Sequence, residues 1–343
     1  MMRLHSLRLS LLLLALAPAL SSAAQPAPAY HYFRLGNPAN LPAAVSRPGY
    51  ALMGGGSDLD PAFRFLCDRA GGGDLLVLRA TGDDDYNPYV QNLCHLNSVA
   101  TLILPDRPSA QDPFVAAAIR NASALFISGG DQANYINHWM GTPVQDELNS
   151  AIRRGVPIGG TSAGLAVLGE WAYTAQGDAP DDKDLDSKTT LANPFHPRVT
   201  LVRGFLDIPI LKGVITDTHF AKRNRMGRLL VYLARLNEPD GKPLPLPGRS
   251  IRGIGVEQAA ALLVEPDGSA TVVGKGDAYF VDASHADGRV ESGKPLNFGD
   301  YALLKVAPGH KFNLKTWTGD ATPYTLSVHA GAVRSSQPGN AIY

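Results

Sequence analysis

From Tyr50 onward, short apolar runs alternate with longer stretches whose apolar residues recur at helical spacing. Ala51-Leu52-Met53 leads into Gly54-Gly55-Gly56, and a helix is predicted from Asp58 to Arg69. Asp74 to Arg79 is an apolar run of strand length, Tyr86 to Leu96 reads as a helix, Val99 to Leu104 as a strand and Pro113 to Asn121 as a helix. The strand Ala124 to Ile127 follows, then helices around Ala133 to Met140 and Val144 to Arg154, and a buried strand at Val156 to Gly159. Strands that are apolar almost throughout are covered on both faces. The pattern therefore predicts an α/β fold, a parallel sheet sandwiched by helices. Folds of this kind place their sites at the carboxyl ends of the strands.

After Trp171 the pattern loosens. Asp178 to Asp186 is a polar, acidic segment, either a solvated loop or a lid or rim that recognises a cation. Val214-Ile215-Thr216 resumes a strand, and a helix is predicted from Phe220 to Leu236. Ile254 to Val256, Ala260 to Val264, Ala270 to Val273 and Ala278 to Val281 read as short strands, a β-rich ending that extends the main sheet. The last residues, about twenty of them, carry little pattern and are expected to be mobile.

The first residues read as an export signal. Arg3 and Arg8 give a positive start, Leu9 to Leu16 a short apolar core, and Ser22-Ala23-Ala24 a small-residue cleavage site. The apolar run is shorter than the roughly 20 residues that span a bilayer, although an uncleaved anchor or a buried helix is the alternative. The division expected is a signal peptide at 1–24, an N-terminal extension at 25–48, a catalytic domain at 49–285 and a β-rich C-terminal extension at 286–343. The product is expected in the periplasm or outside the cell, with no membrane association after cleavage. In that setting Cys67 and Cys94 form a disulfide candidate, two buried free thiols being the alternative.

Composition narrows the function. With 45% hydrophobic and 18% charged residues the chain is not of a disordered type. Lys+Arg and Asp+Glu both number 31, so no basic field points to nucleic acid. Gly54-Gly55-Gly56 lacks the Lys-Ser/Thr ending of a phosphate cradle, which discounts nucleotide binding.

The chemistry concentrates in Gly159-Gly160-Thr161-Ser162-Ala163-Gly164, a buried strand, a sharp turn and the start of a helix. A serine in that turn is held exposed at the end of a strand, and glycines on each side admit the tight backbone. A backbone N–H from Ala163 would face the oxygen that gains charge when the hydroxyl attacks a carbonyl. The alternative is a Gly-rich helix cap. The serine needs a base, and His219 in Thr216-Asp217-Thr218-His219-Phe220 lies just past a predicted strand, at the same sheet edge. A group must then hold the imidazole. Glu257 follows the strand Gly253-Ile254-Gly255-Val256 and is the candidate acid, a plain surface carboxylate being the other reading. Ser128-Gly129-Gly130-Asp131-Gln132 follows the strand Leu125-Phe126-Ile127, so Gly130 can supply a second oxyanion N–H and Gln132 can orient a substrate; an ordinary strand-to-helix turn is the alternative. Arg223, Arg225 and Arg228, close behind His219, suit a substrate carboxylate, or else form a solvated basic face.

These motifs together resemble the cyanophycinase and dipeptidase E group of serine peptidases, over roughly Tyr50 to Val281 and with four motifs in the same order. The resemblance implies a class I glutamine-amidotransferase-like, flavodoxin-like three-layer α/β fold. It implies Ser162 as nucleophile and His219 as base, with Gln132, Asp217, Arg223, Arg225 and Arg228 shaping the pocket. No metal or organic cofactor is implied. Cyanophycinases cut cyanophycin, a poly-aspartate with arginine on its side chains, into β-aspartyl-arginine; relatives cleave aspartyl or isoaspartyl dipeptides. Where that family reads Asp-Gln-His-Phe this chain has Thr218, and where it reads Gly-Ile-Gly-Ile-Asp-Glu this chain has Glu257 and Gln258. If the second acidic position is the orienting one, Gln258 fills it without a charge. The expected activity is an exported serine exopeptidase on aspartyl bonds, with a peptide or polymeric aspartyl substrate and a homodimer as an open partner reading. A secreted aspartyl dipeptidase and a non-catalytic peptide-binding protein of the same fold are the alternatives.

Overall fold

The computed structural model describes residues 29–41, 45–177, 184–237 and 251–343. The expected signal peptide lies outside the described residues, as does most of the acidic segment after Gly177. In chain order the first half contains β1 (His31–Gly36), β2 (Tyr50–Met53), α1 (Asp60–Arg69), β3 (Asp74–Arg79), α2 (Tyr86–Cys94) and β4 (Ser98–Ile103). It continues through α3 (Pro113–Asn121), β5 (Ala124–Ile127), α4 (Gln132–Trp139), α5 (Pro143–Arg153), β6 (Ile158–Thr161) and the single turn α6 (Ala163–Ala166).

Strands β4, β3, β5, β6 and β2 lie side by side in that order, all parallel. Their side chains alternate between two helical layers. Leu75 and Val77 of β3 pack with Phe63, Leu66 and Val90 of α1 and α2. Leu76 and Leu78 pack with Val115, Ile119, Trp139 and Leu148 of α3, α4 and α5. The apolar run Asp74–Arg79 is continuous because both faces are buried, each such side chain contributing about 1.5–3 kcal/mol. The Cys67 and Cys94 sulfurs are bonded, joining α1 to the end of α2.

The second half adds β7 (Trp171–Tyr173), α7 (Ser187–Ala192), β8 (Leu201–Arg203), β9 (Val214–Asp217), α8 (Met226–Asn237), β10 (Arg252–Val256), β11 (Ala260–Val264), β12 (Ser269–Gly274) and β13 (Ala278–Asp282). Then come β14 (Asp287–Arg289), β15 (Asn297–Val306), β16 (Lys311–Asn313), β17 (Thr318–Gly319), β18 (Pro323–His329) and β19 (Ala332–Ser335). The β-rich ending does extend the main sheet, through β11, β12, β16 and β17 beyond β2. It also builds a second sheet, in which β10 pairs parallel with β9 and antiparallel with β13, followed by β15, β18 and β19. The helix α8 lies against this second sheet, with Leu229, Leu230 and Leu233 in one apolar cluster with Tyr301, Leu303 and Leu326.

Two expectations need correction. The helix predicted from Phe220 begins only at Met226. His219 and Asn224 occupy the left-handed region, with φ of 47° and 49°, so residues 219–225 form turns rather than helix. The C-terminal residues, expected to be mobile, form β18 and β19. Tyr343 packs edge-on to Phe220 and Tyr279, and its hydroxyl accepts from Met226 N at 2.9 Å.

Candidate active site

Five strand ends converge. Parallel β2, β5 and β6 carry Gly54-Gly55, Ser128–Gln132 and Ser162, while parallel β9 and β10 carry His219 and Glu257-Gln258. The two groups meet where the His219 N–H donates to Gly54 O at 2.8 Å.

Ser162 sits between β6 and α6 with φ of 51° and ψ of −117°, a conformation in which a non-glycine residue is strained. The surroundings hold it there: Ser162 N donates to Met53 O at 3.1 Å, and Ser162 O accepts from Ala166 N at 2.9 Å. The flanking glycines are needed because a Cβ on Gly160 would lie 2.6 Å from the Gly164 carbonyl carbon, and one on Gly164 would lie 2.0 Å from Ile127 O. The Ser162 Oγ is 2.7 Å from His219 Nε2. Burial, reinforced by the Arg223 and Arg225 guanidinium groups, pushes the His219 imidazole down to about 4. It is therefore neutral near pH 7 and available as a base.

Gly55 makes room for this pair. A Cβ there would stand 2.5 Å from His219 Cε1 and Nε2 and 3.0 Å from Ser162 Cβ, and its φ of +94° suits glycine alone. Gly55→Ala is accordingly expected to displace the imidazole and lower kcat about 100-fold, measured beside an unchanged far-UV circular dichroism spectrum.

Ser162 and Ala163 form part of the lining of a cavity of about 410 Å³, shared with Gly130 and Gln132 on one wall and Arg223, Arg225 and Arg228 on another. Asp131 caps α4 by accepting from Ala133 N at 2.9 Å. The Tyr135 hydroxyl lies 3.0 Å and 2.9 Å from the Ser128 and Gly129 carbonyl oxygens, which fixes the Gly129-Gly130 turn beside the serine. Asp217 does not face the cavity as a free acid. It pairs with the fully buried Arg228, which approaches with Nε at 2.7 Å and with Nη2 on the other carboxylate oxygen. Burial works against the Arg228 charge, but Asp217 outweighs it and holds the guanidinium above its usual value. Among the described residues no group of His, Cys, Asp or Glu has the arrangement of a metal site.

Residues 79–195, which include Gly130, Gln132 and Ser162, match the sequence profile of peptidase family S51. A cyanophycinase of Synechococcus elongatus is 28% identical over 265 residues, 73% of each chain. A cyanophycinase of Nostoc sp. is 29% identical over 223 residues, 63% of this chain and 65% of that one. The chain is similar to the peptidases of family S51 and to the cyanophycinases. It is a serine-type peptidase. Among solved structures, a peptidase from an acI-B1 actinobacterium aligns with a TM-score of 0.49 and 16% identity, over 79% of this chain and 98% of its own. A putative peptidase E protein from Listeria monocytogenes aligns with a TM-score of 0.43 and 12% identity, over 67% and 99%.

The structure gathers Ser162, Ala163, Gly130, Gln132, Arg223, Arg225 and Arg228 at one cavity, with His219 against the Ser162 hydroxyl. It does not bring Glu257 to the imidazole. The Glu257 carboxylate accepts from the backbone N–H groups of Ala221, Lys222 (2.8 Å) and Gln258 (2.6 Å), bracing the turn after His219. The side chain that reaches His219 Nδ1, at 2.7 Å, is the Gln258 amide. Consecutive residues leaving a strand direct their side chains to opposite sides, so only one of the two can meet the ring.

Three contributors escaped sequence reasoning. Gly55 stood in a run that reads as a weaker source of an oxyanion N–H or as a phosphate cradle, not as room for the imidazole. Asp184 was submerged in an acidic segment. Tyr343, in a tail with little pattern, steadies the turn that carries His219 through its bonds to Met226 N and to Asn224 Oδ1 at 3.0 Å.

Proposed function

We propose that this serine-type peptidase is an exported exopeptidase that hydrolyses aspartyl peptide bonds, β-aspartyl bonds of the cyanophycin type foremost. The observation that carries the reading is the Ser162 Oγ at 2.7 Å from a neutral His219, in a cavity walled by arginines. Ser162 Oγ attacks the peptide carbonyl carbon as His219 Nε2 takes the hydroxyl proton. The Ala163 and Gly130 N–H groups receive the carbonyl oxygen as it gains charge. When the C–N bond breaks, His219 returns the proton to the leaving amine, and water then cleaves the acyl ester by the same path in reverse. Arg223 and Arg225 recognise a substrate carboxylate, which a β-linked aspartyl residue keeps free.

Export is supported by the leader pattern and by the Cys67–Cys94 disulfide, a bond that persists in oxidising compartments. Substrate from outside the cell is then the expected food for the site, whether polymer or short peptide.

A second reading is favoured by Gln258. An amide at Nδ1 cannot stabilise an imidazolium as a carboxylate does, so the same pocket could serve chiefly to bind aspartyl peptides. The experiment is to incubate the mature protein with insoluble cyanophycin, with β-aspartyl-arginine and with α-aspartyl dipeptides, and to weigh the products. Release of β-aspartyl-arginine from the polymer is the expected result. Turnover of dipeptides alone moves the assignment to a secreted aspartyl dipeptidase, and tight binding without turnover favours the binding protein.

A further inference from the structure

Two buried arginines of the cavity use the same edge of the guanidinium differently. Arg228 presents its Nε–Nη2 edge to Asp217 side-on, one N–H to each carboxylate oxygen. Arg225 is nearly as buried, with 7% of its side chain exposed. Its Nη1 donates to Thr218 O at 2.9 Å and Thr218 Oγ1 at 3.0 Å, which fixes the plane of the group. On the equivalent edge only Nη2 is engaged, by Asp184 Oδ2 at 2.7 Å, and Nε has no hydrogen-bond partner among the described residues. The same Asp184 oxygen also receives Arg223 Nη1 at 2.7 Å. One carboxylate oxygen thus serves two guanidinium groups, leaving a buried donor unpaired. The Asp184 side chain is itself half exposed and lines the cavity beside Ser162.

We propose that Asp184 is a specificity residue: its carboxylate is a resident stand-in on the Arg225 edge, and a substrate carboxylate displaces it to bind side-on across Nε and Nη2. This rests on the cavity being the substrate site and adds what the substrate must overcome there. A neutral ligand gains nothing at the edge, whereas an anionic one exchanges a half-used contact for a bidentate pair. Asp184 therefore sets a threshold that only a well-placed carboxylate passes.

The test uses full-length protein carrying Ser162→Ala, so that no turnover is required, and titrates succinate as a minimal dicarboxylate, with succinamide as its uncharged counterpart. Adding Asp184→Asn, or independently Asp184→Ser, is expected to tighten succinate by about three- to tenfold and to leave succinamide unchanged. Placing Arg225→Lys in the same background is expected to erase the gain, because an ammonium has no second parallel donor. Unchanged or weaker succinate binding in both Asp184 variants would overturn the proposal and make Asp184 a support for the arginines. Succinate tightening in a protein whose Ser162 form hydrolyses no aspartyl peptide would retain this inference and remove the peptidase substrate instead.

Discussion

Replacing Ser162 by alanine is expected to lower kcat for aspartyl peptide hydrolysis by about 10³- to 10⁶-fold while changing peptide affinity less than about threefold. The two effects separate because, in the proposed mechanism, Ser162 supplies the bond-forming oxygen and Arg223, Arg225 and the turn at Gly130–Gln132 supply the affinity. Removing a hydroxyl from a residue already held at φ of 51° by backbone contacts leaves the turn intact. Single-turnover kinetics beside calorimetric titration of a β-aspartyl dipeptide measure both quantities. Loss of binding in parallel with kcat would mean that the elbow had collapsed.

Gln258→Glu is expected to raise kcat by about 10²- to 10⁴-fold, the range spanned when a triad carboxylate and its amide are exchanged. The effect depends on which ring nitrogen carries the proton. The Gln258 amide lies 2.7 Å from Nδ1. With its oxygen there it accepts from Nδ1–H and leaves Nε2 free for the Ser162 proton, as the mechanism requires; with its NH2 there it would place the ring proton on Nε2 and block the transfer. A carboxylate accepts from Nδ1–H in every orientation and also stabilises the imidazolium of the transition state. The pH profile should change with it. In the natural chain His219 titrates near 4, so kcat/KM falls only as pH drops through about 4 and the base is neutral above that. A carboxylate at Nδ1 favours the charged ring, so the acid limb should move upward, toward the ordinary histidine value near 6.5. A variant with unchanged kcat and an unmoved acid limb would show that Gln258 does not govern the imidazole.

The parallel sheet was legible because β3, β4, β5 and β6 are short apolar runs whose two faces both meet helices, a pattern that length and punctuation by glycine and proline identify locally. The elbow was legible for the same reason: Gly160 and Gly164 lie at the two places where a Cβ would strike backbone. The second sheet was harder to read. Tyr324, Leu326 and Val328 alternate with exposed residues along β18, a strand signal, but their partners on β15 lie more than twenty residues away in the chain. The helix after His219 was placed too early because its apolar spacing runs on through Phe220, while the left-handed turns at His219 and Asn224 are imposed by contacts with Gly54, Ser187 and Tyr343 that no local pattern contains. The choice between Glu257 and Gln258 was open for a related reason. Adjacent residues have the same neighbours in sequence, and only the path of the chain beyond β10 decides which one meets the ring.

The most direct measurement is to treat the purified protein with a fluorophosphonate and locate the adduct by peptide mass spectrometry. A single adduct on Ser162 that disappears in His219→Ala is expected, since the hydroxyl is nucleophilic only while Nε2 can accept its proton. Labelling that is absent, or that persists at Ser162 without His219, would contradict a Ser162–His219 nucleophilic pair.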